Sequence, residues 1–198
     1  RGEADVLLVH APDLEKKFVE DGHGKNRRAV MHNDFILIGP KDDPAGIRGT
    51  KDAAAALGAV AKAGVTWTSR GDRSGTHHKE KALWKAAGLE PKGSWFVETG
   101  QGMGATLRIA DEKGAYTISD RGTFLSVENI SLEVLVEGDE RLFNPYHVIE
   151  IVHQNANSKG AAMLAGFFVE QSTQKKIGAF ESRGYKLFTP DALEREQK

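Results

Sequence analysis

The segment Ser69-Arg70-Gly71-Asp72-Arg73-Ser74-Gly75-Thr76-His77-His78-Lys79-Glu80 concentrates donors suited to an anion. Gly71 and Gly75 let the backbone turn its N–H groups inward. A helix starting near Ser74 leaves amides outside its hydrogen-bond ladder and adds a partial positive charge. Ser69, Ser74 and Thr76 offer hydroxyls, and Arg70 offers a charged fork of N–H groups. Such donors, converging on one point, hold an oxyanion stripped of its water. The same residue types also make an ordinary strand-to-helix loop capped by serine or threonine. Pattern alone leaves both readings open.

Two further segments bear on this choice. In Glu98-Thr99-Gly100-Gln101-Gly102-Met103-Gly104 the glycines fall at alternate positions and open a second expected helix. They do not form the G-x-G-x-x-G fingerprint, and no inner strand of the expected kind precedes them, so dinucleotide binding is not expected. Gly100 and Gly102 read either as a glycine-rich cap permitting close helix packing or as support beside the same anion. In Ser119-Asp120-Arg121-Gly122-Thr123, Arg121 either faces the anion or pairs with a carboxylate.

Other chemistries fit poorly. His77 and His78 are neighbours whose side chains point about 100° apart on a helix, and no H-x-x-x-H spacing occurs, so no metal site is expected. There is no G-x-S-x-G nucleophile elbow. We expect no catalytic residues and no cofactor. Lys and Arg total 27 against 28 Asp and Glu, which gives no basic field for nucleic acid, and no helix-turn-helix is visible. Cysteine is absent, so no disulfide or thiolate site exists to indicate a compartment. No apolar run approaches the roughly 20 residues that span a bilayer, and Arg1-Gly2-Glu3-Ala4-Asp5 has no signal-peptide pattern.

The elements that must position these residues alternate between strand and helix. Ala4 to Val9 is a continuous apolar run, the pattern of a strand covered on both faces. A helix follows from Pro12 or Asp13 with Gly22 as its stop, then a strand over Phe35–Ile38. Thr50 or Asp52 opens an alanine-rich helix closed by Gly64, and Val65 to Thr68 reads as a strand. Residues 74–87 and 99–113 read as helices, the first with Ala82, Leu83, Ala86 and Ala87 as its apolar side. Strands are expected at 116–118, 131–136 and 148–152, and two helices after Ser158. This alternation predicts an α/β fold with a mainly parallel sheet and crossover helices.

Three blocks together, Ala4 to Pro12, Val30-Met31-His32-Asn33-Asp34-Phe35 through Gly39-Pro40-Lys41-Asp42-Asp43-Pro44-Ala45-Gly46-Ile47, and the Ser69 to Glu80 segment, resemble the substrate-binding component of tungstate ABC importers. Gly100 to Gly104 and Tyr116 to Thr123 fit the same family. The resemblance implies a type II periplasmic binding fold, with two lobes joined by two crossover strands and closing on an oxyanion in the cleft. One lobe would be residues 1–37 with 146–198, and the other residues 38–145. The resemblance places the anion on Arg70 and Thr76, with Ser69, Ser74 and Gly75 beside them and Gly100, Gly102 and Arg121 as further support. It implies tungstate or molybdate as ligand, a membrane permease as partner, a periplasmic location and no enzymatic activity.

Members of that family begin with a strand and a T-T-T-S segment that this chain lacks. About fifty preceding residues, a strand, a helix and a turn, are therefore expected to be absent, leaving the first lobe incomplete. The apolar edge around Val6 to Val9 would then favour self-association. The competing reading is a ligand-sensing module of the same fold in gene regulation, or a small-molecule enzyme.

Overall fold

The computed structural model describes residues 2–182 and 184–192. In chain order its elements are β1 (Val6–Val9), α1 (Pro12–Glu20), β2 (Gly24–Gly39), α2 (Ala53–Ala63), β3 (Trp67–Ser69), α3 (Gly75–Ala86), β4 (Phe96–Glu98), α4 (Met103–Lys113), β5 (Thr117–Asp120), α5 (Arg121–Ser126), β6 (Glu133–Val136), β7 (Phe143–Ile151), α6 (Ser158–Val169) and α7 (Gln171–Ala179). A hairpin, β8 (Glu181–Ser182) and β9 (Tyr185–Lys186), and the short β10 (Thr189–Pro190) follow. The chain divides into two compact units. Unit 1 combines the residues up to Asn33 with those from Asn144 onward, and unit 2 is Asp34–Phe143. The chain passes between them within β2 and at the start of β7. Residues 1, 183 and 193–198, assigned from sequence to the first lobe, lie outside the described residues.

In unit 1, β1 runs antiparallel to β7 from Val6 opposite Glu150 to Val9 opposite His147. The sheet continues through β2 to β10, which pairs antiparallel at His32 and Met31. Val30, Val148 and Ala165 form a small core with Val6, Phe168 and Ile177 packed against it. The sequence pattern predicted a β1 covered on both faces, but Leu8 is 39% exposed and the other three residues are half-buried. Among the described residues β1 ends its sheet with β7 as its neighbour, which leaves one edge and part of a face uncovered by them. On α6 the small residues Ala161 and Ala165 are buried, while Leu164 and Phe167 are exposed.

In unit 2, β2 pairs antiparallel with β5, from Phe35 opposite Asp120 to Ile38 opposite Thr117, and with β6 from Leu37 to Gly39. Successive side chains on a strand point to opposite faces. Phe35 and Leu37 therefore join Leu57, Val60, Trp67, Leu83 and Trp84 in one core, and Ile36 and Ile38 join Met103 and Leu107 in another. β3 runs parallel to β4 from Trp67 opposite Phe96 to Ser69 opposite Glu98, and Trp67 bridges in parallel to Tyr116. The expectation of a mainly parallel sheet needs correction: the sheet is mixed. Helical crossovers align β3, β4 and the start of β5, whereas β2 enters unit 2 from unit 1 and meets β5 and β6 head to tail.

The helix ends follow the sequence closely. Asp52 caps α2 by accepting the Ala55 N–H at 2.9 Å, and Gly64, with φ of +64°, closes it. α4 begins at Met103 rather than Thr99, because Gly100 has φ of +65° and the helix starts only after Gly102. The stripe of α3 also differs from expectation. Thr76, Glu80, Leu83 and Trp84 are buried, while Ala82 and Ala86 are exposed.

Gln174 holds unit 1 together from its interior. Its side-chain NH₂ donates to Val30 O at 2.9 Å and Phe168 O at 2.8 Å, and its carbonyl accepts the Ala192 N–H at 2.9 Å. Gln174→Ala would leave these backbone groups without a partner, and we expect a loss of about 2–3 kcal/mol. Urea unfolding checks this; a midpoint equal to that of the wild type would show that the three bonds contribute nothing net.

Candidate functional site

The site candidates gather where β3 ends and α3 begins. Trp67, Thr68 and Ser69 are all buried, so the strand brings the chain out of the core at Ser69. Gly71 then turns it with φ of +62°, and a Cβ there would sit 3.0 Å from the Cβ of Glu98. Both facts favour glycine: an L side chain would be strained, and β4 lies too close for one. Arg73 also has positive φ, at +60°, and its N–H donates to His77 Nδ1 at 3.0 Å. Ser74 caps α3 by accepting the His77 N–H at 3.3 Å. The first-turn amides of Gly75 and Thr76 fall outside the helical ladder, as at any helix start. Thr76 is itself 7% exposed.

Arg70 is held by a neighbour. Its Nε donates to Asp72 Oδ2 at 3.0 Å, and a terminal N–H donates to the same oxygen. A guanidinium has five N–H donors, so the pairing fixes its plane and leaves further donors for a ligand. Burial tends to raise the pKa of Asp72. The hydrogen bonds from Ser74, including its N–H at 3.1 Å, and the charge of Arg70 outweigh burial and bring it down to about 2. Asp72 is therefore ionised at neutral pH. It removes part of the positive charge of Arg70 while orienting it.

The second glycine-rich segment lies alongside. Thr99 N–H donates to Ser69 O at 2.9 Å and Gly100 N–H to Arg70 O at 2.9 Å, extending the parallel pairing of β3 and β4. The Thr99 hydroxyl also donates to Ser69 O at 3.1 Å and meets the Thr106 hydroxyl at 2.9 Å, tying the loop to α4. Gly102 caps α4 without a side-chain bond. Tertiary pairing thus brings Gly100 beside Ser69 and Arg70, with the start of α4 next in the chain.

Arg121 is differently placed. It opens α5, and its Nε and a terminal N–H meet both oxygens of Asp34 at 2.8 and 2.5 Å, while a terminal N–H also meets Glu137 at 2.6 Å. These hydrogen bonds push its pKa further up against the opposing effect of burial. Of the two roles open in the sequence, the structure shows the pairing one, with Asp34 and Glu137 as the acids.

Beneath these residues lies Glu80, the last residue of the Ser69 to Glu80 segment, which the pattern alone does not mark as functional. Glu80 is 1% exposed on α3. Its Oε1 accepts the indole N–H of Trp67 at 2.8 Å and of Trp84 at 3.4 Å, and its Oε2 meets the Ser69 hydroxyl at 2.8 Å. Trp67 and Trp84 pack edge to face with ring centres 5.2 Å apart, enclosing the carboxyl. Burial raises its pKa to about 7, against the effect of these three donors and with help from the charge of Glu98. The available signal was an acid at helical spacing between Thr76 and Trp84, on the face that also carries Leu83. A cleft of about 760 Å³ borders Glu80, lined by the apolar Trp84, Leu89, Pro91 and Phe96 together with His77, Lys81, Lys85, Glu90 and Glu98.

The chain belongs to the PBP superfamily, whose domain model matches residues 1–172. It is 44% identical to the tungstate-binding protein TupA of Peptoclostridium acidaminophilum, over 96% of this chain and 70% of that protein. It is 50% identical to a Haloferax volcanii relative whose name points to ABC-transporter anion binding, covering 97% of this chain but only 59% of that protein's length. Among solved structures, the tungstate-binding protein TupA from Desulfovibrio alaskensis G20 superposes with a TM-score of 0.86 at 45% identity, over 96% of this chain and 80% of that one. These comparisons agree with the resemblance drawn from the sequence blocks.

Glu80 makes stability depend on pH. Its folded pKa, about 7, lies above the ordinary value of 4.5, so the folded protein keeps a proton that the unfolded chain has released. Its contribution to stability is therefore greatest at low pH, declines through that window and stays lost above it. Glu80→Gln removes this dependence. Between pH of about 5 and 8 we expect the wild type to lose on the order of 3 kcal/mol more unfolding free energy than the variant. Denaturant unfolding at several pH values measures the difference, and parallel profiles would contradict it.

Proposed function

We propose that this chain binds tungstate, or the nearly equal-sized molybdate, and delivers it to the permease of an ABC importer outside the cytoplasm, in the periplasm. The relatives named for tungstate binding support the ligand. The observation that carries the reading in this molecule is the loop from Ser69 to Thr76. An arginine oriented by Asp72 lies in the turn that leads to a helix N-terminus, with Gly100 and the unbonded cap of α4 alongside.

The task is to replace the water around a doubly charged tetrahedral ion. Amides at helix starts and hydroxyls supply donors without formal charge, and Arg70 supplies one charge, reduced by Asp72. Ser69, Ser74, Gly75 and Thr76 are the neighbouring donors, with Gly100 and Gly102 in support. Binding and release are the whole function on this reading, with no bond made or broken.

The finer proposal that copies of this chain associate rests on β1 ending its sheet and on Leu8 standing exposed. Analytical ultracentrifugation should show mass rising with concentration; a monomer throughout would remove it.

Arg70→Ala should weaken tungstate binding by on the order of 2–4 kcal/mol, roughly thirty- to a thousandfold, because a charge-assisted bond is lost and Asp72 is left unpaired near the anion. Arg121→Ala should change affinity by less than about threefold, yet lower the melting temperature because Asp34 and Glu137 lose their cation. Calorimetric titration and thermal unfolding of both variants test this. A folded Arg70→Ala protein binding within about threefold of wild type would reduce the segment to a capped loop.

A further inference from the structure

The Ser69 hydroxyl faces two demands that it cannot meet together. It has one hydrogen, and its oxygen lies 2.8 Å from Oε2 of Glu80 and accepts the Gly71 N–H at 3.3 Å. Oε1 of the same carboxyl is already occupied by the indole N–H groups of Trp67 and Trp84. An ionised carboxylate only accepts hydrogen bonds, so when Glu80 is charged the hydrogen of Ser69 must point at Oε2. The hydroxyl then turns lone pairs toward anything else beside it. A protonated Glu80 carries its hydrogen on Oε2, donates it to Ser69, and leaves the serine hydrogen to swing toward a ligand.

We propose that Glu80 is a proton-linked positioning residue for the oxyanion site, which takes up one proton as the anion binds so that Ser69 can donate to the anion. The proposal rests on the reading of the Ser69 to Thr76 segment as that site. The step balances: one proton leaves solvent for Oε2, the Oε2–Ser69 hydrogen bond reverses direction, and no covalent bond changes. Selectivity for the anion is unaffected by the step itself; what changes is the pH range over which all the donors point the right way.

The surroundings permit the switch. Glu80 is enclosed by the rings of Trp67 and Trp84, and no cation is paired with it among the described residues. The charge of Glu98 on β4 opposes its ionisation. On α3 itself the other titratable groups are His77 and His78 before it, Lys79 and Lys81 on either side and Lys85 beyond, and at the end of β3 Arg70 is already paired with Asp72. Of the other elements packed on α3, α2 carries Lys62 and β5 carries Asp120, which caps α5. Burial, helped by the charge of Glu98 and opposed by the three donors, raises the titration to about 7, and a dianion held beside Ser69 would raise it well above about 8, so that the site fills with one proton on binding.

The test is calorimetric titration of this chain with sodium tungstate in pairs of buffers of different ionisation enthalpy, which counts protons taken up per anion. Near pH 8 we expect about one proton per tungstate, falling toward none near pH 5.5, with affinity dropping by up to about tenfold per pH unit above 7 and levelling below it. Glu80→Gln, whose amide can donate to Ser69 permanently, should take up no proton and bind with a flat pH profile close to the low-pH affinity of the wild type. It also corrects for any titration of the anion itself. Ser69→Ala should bind more weakly and lose the linkage. Binding by the wild type with no proton uptake at pH 8 overturns this proposal while leaving tungstate binding intact, as does a Glu80→Gln profile as steep as the wild type's. No binding at any pH overturns the oxyanion reading and this proposal with it.

Discussion

The carboxyl group of Glu80 is the constraint on which the rest of unit 2 depends. A charged or polar group taken out of water must find partners, and here the partners come from two elements: Trp67 and Ser69 on β3, and Trp84 one turn along α3. The bonds therefore fix the rotation and height of α3 against β3. That sets where Ser74 caps the helix, where the Gly75 and Thr76 amides emerge, and how the chain must turn at Gly71 between them. Had an apolar residue stood at this position, packing would still hold the helix, but the indoles and the serine hydroxyl would lose directional partners.

The loop built on this base handles charge with restraint. On the proposed reading the loop holds a dianion and needs positive potential, but an unpaired arginine beside a buried strand would be costly with no anion bound. Asp72 resolves the conflict by holding Arg70 in one plane and offsetting part of its charge. The remaining donors are neutral dipoles whose orientation is set by the fold. Arg121 shows the contrasting use of the same side chain. With Asp34 on the crossover strand and Glu137 after β6, it is enclosed by acids and ties the strands at one end of the unit.

The length of β2 shows how sequence signals can mislead. Only Phe35 to Ile38 carries an apolar run, but the strand starts at Gly24 and passes through Lys25, Asn26, Arg27 and Arg28. Those residues form a strand because β7 and β10 offer edges to pair with, and their charges are answered across unit 1: Arg27 meets Glu15 at 2.8 Å and Arg28 meets Glu150 at 3.4 Å. Pairing over long sequence separation extended the strand well beyond the apolar run that marks it in the sequence.

What the sequence determined by itself was what depends on neighbours along the chain. Asp52 and Ser74 as caps, Gly64 and Gly114 as helix stops, the turn at Gly71 and the alternation of strand and helix all follow from backbone geometry within a few residues. The family blocks likewise appear as ordered strings. Tertiary structure alone decided which partner each polar group took. It gave Arg121 to Asp34 and Glu137, gave Arg70 to Asp72, set Gly100 beside Arg70, and placed Glu80 under Ser69. The physical reason is that a charge or a hydroxyl accepts many partners with similar energy, so its choice is made by burial and geometry after distant segments have packed, whereas a cap or a turn is settled by the dihedral angles its own residues allow.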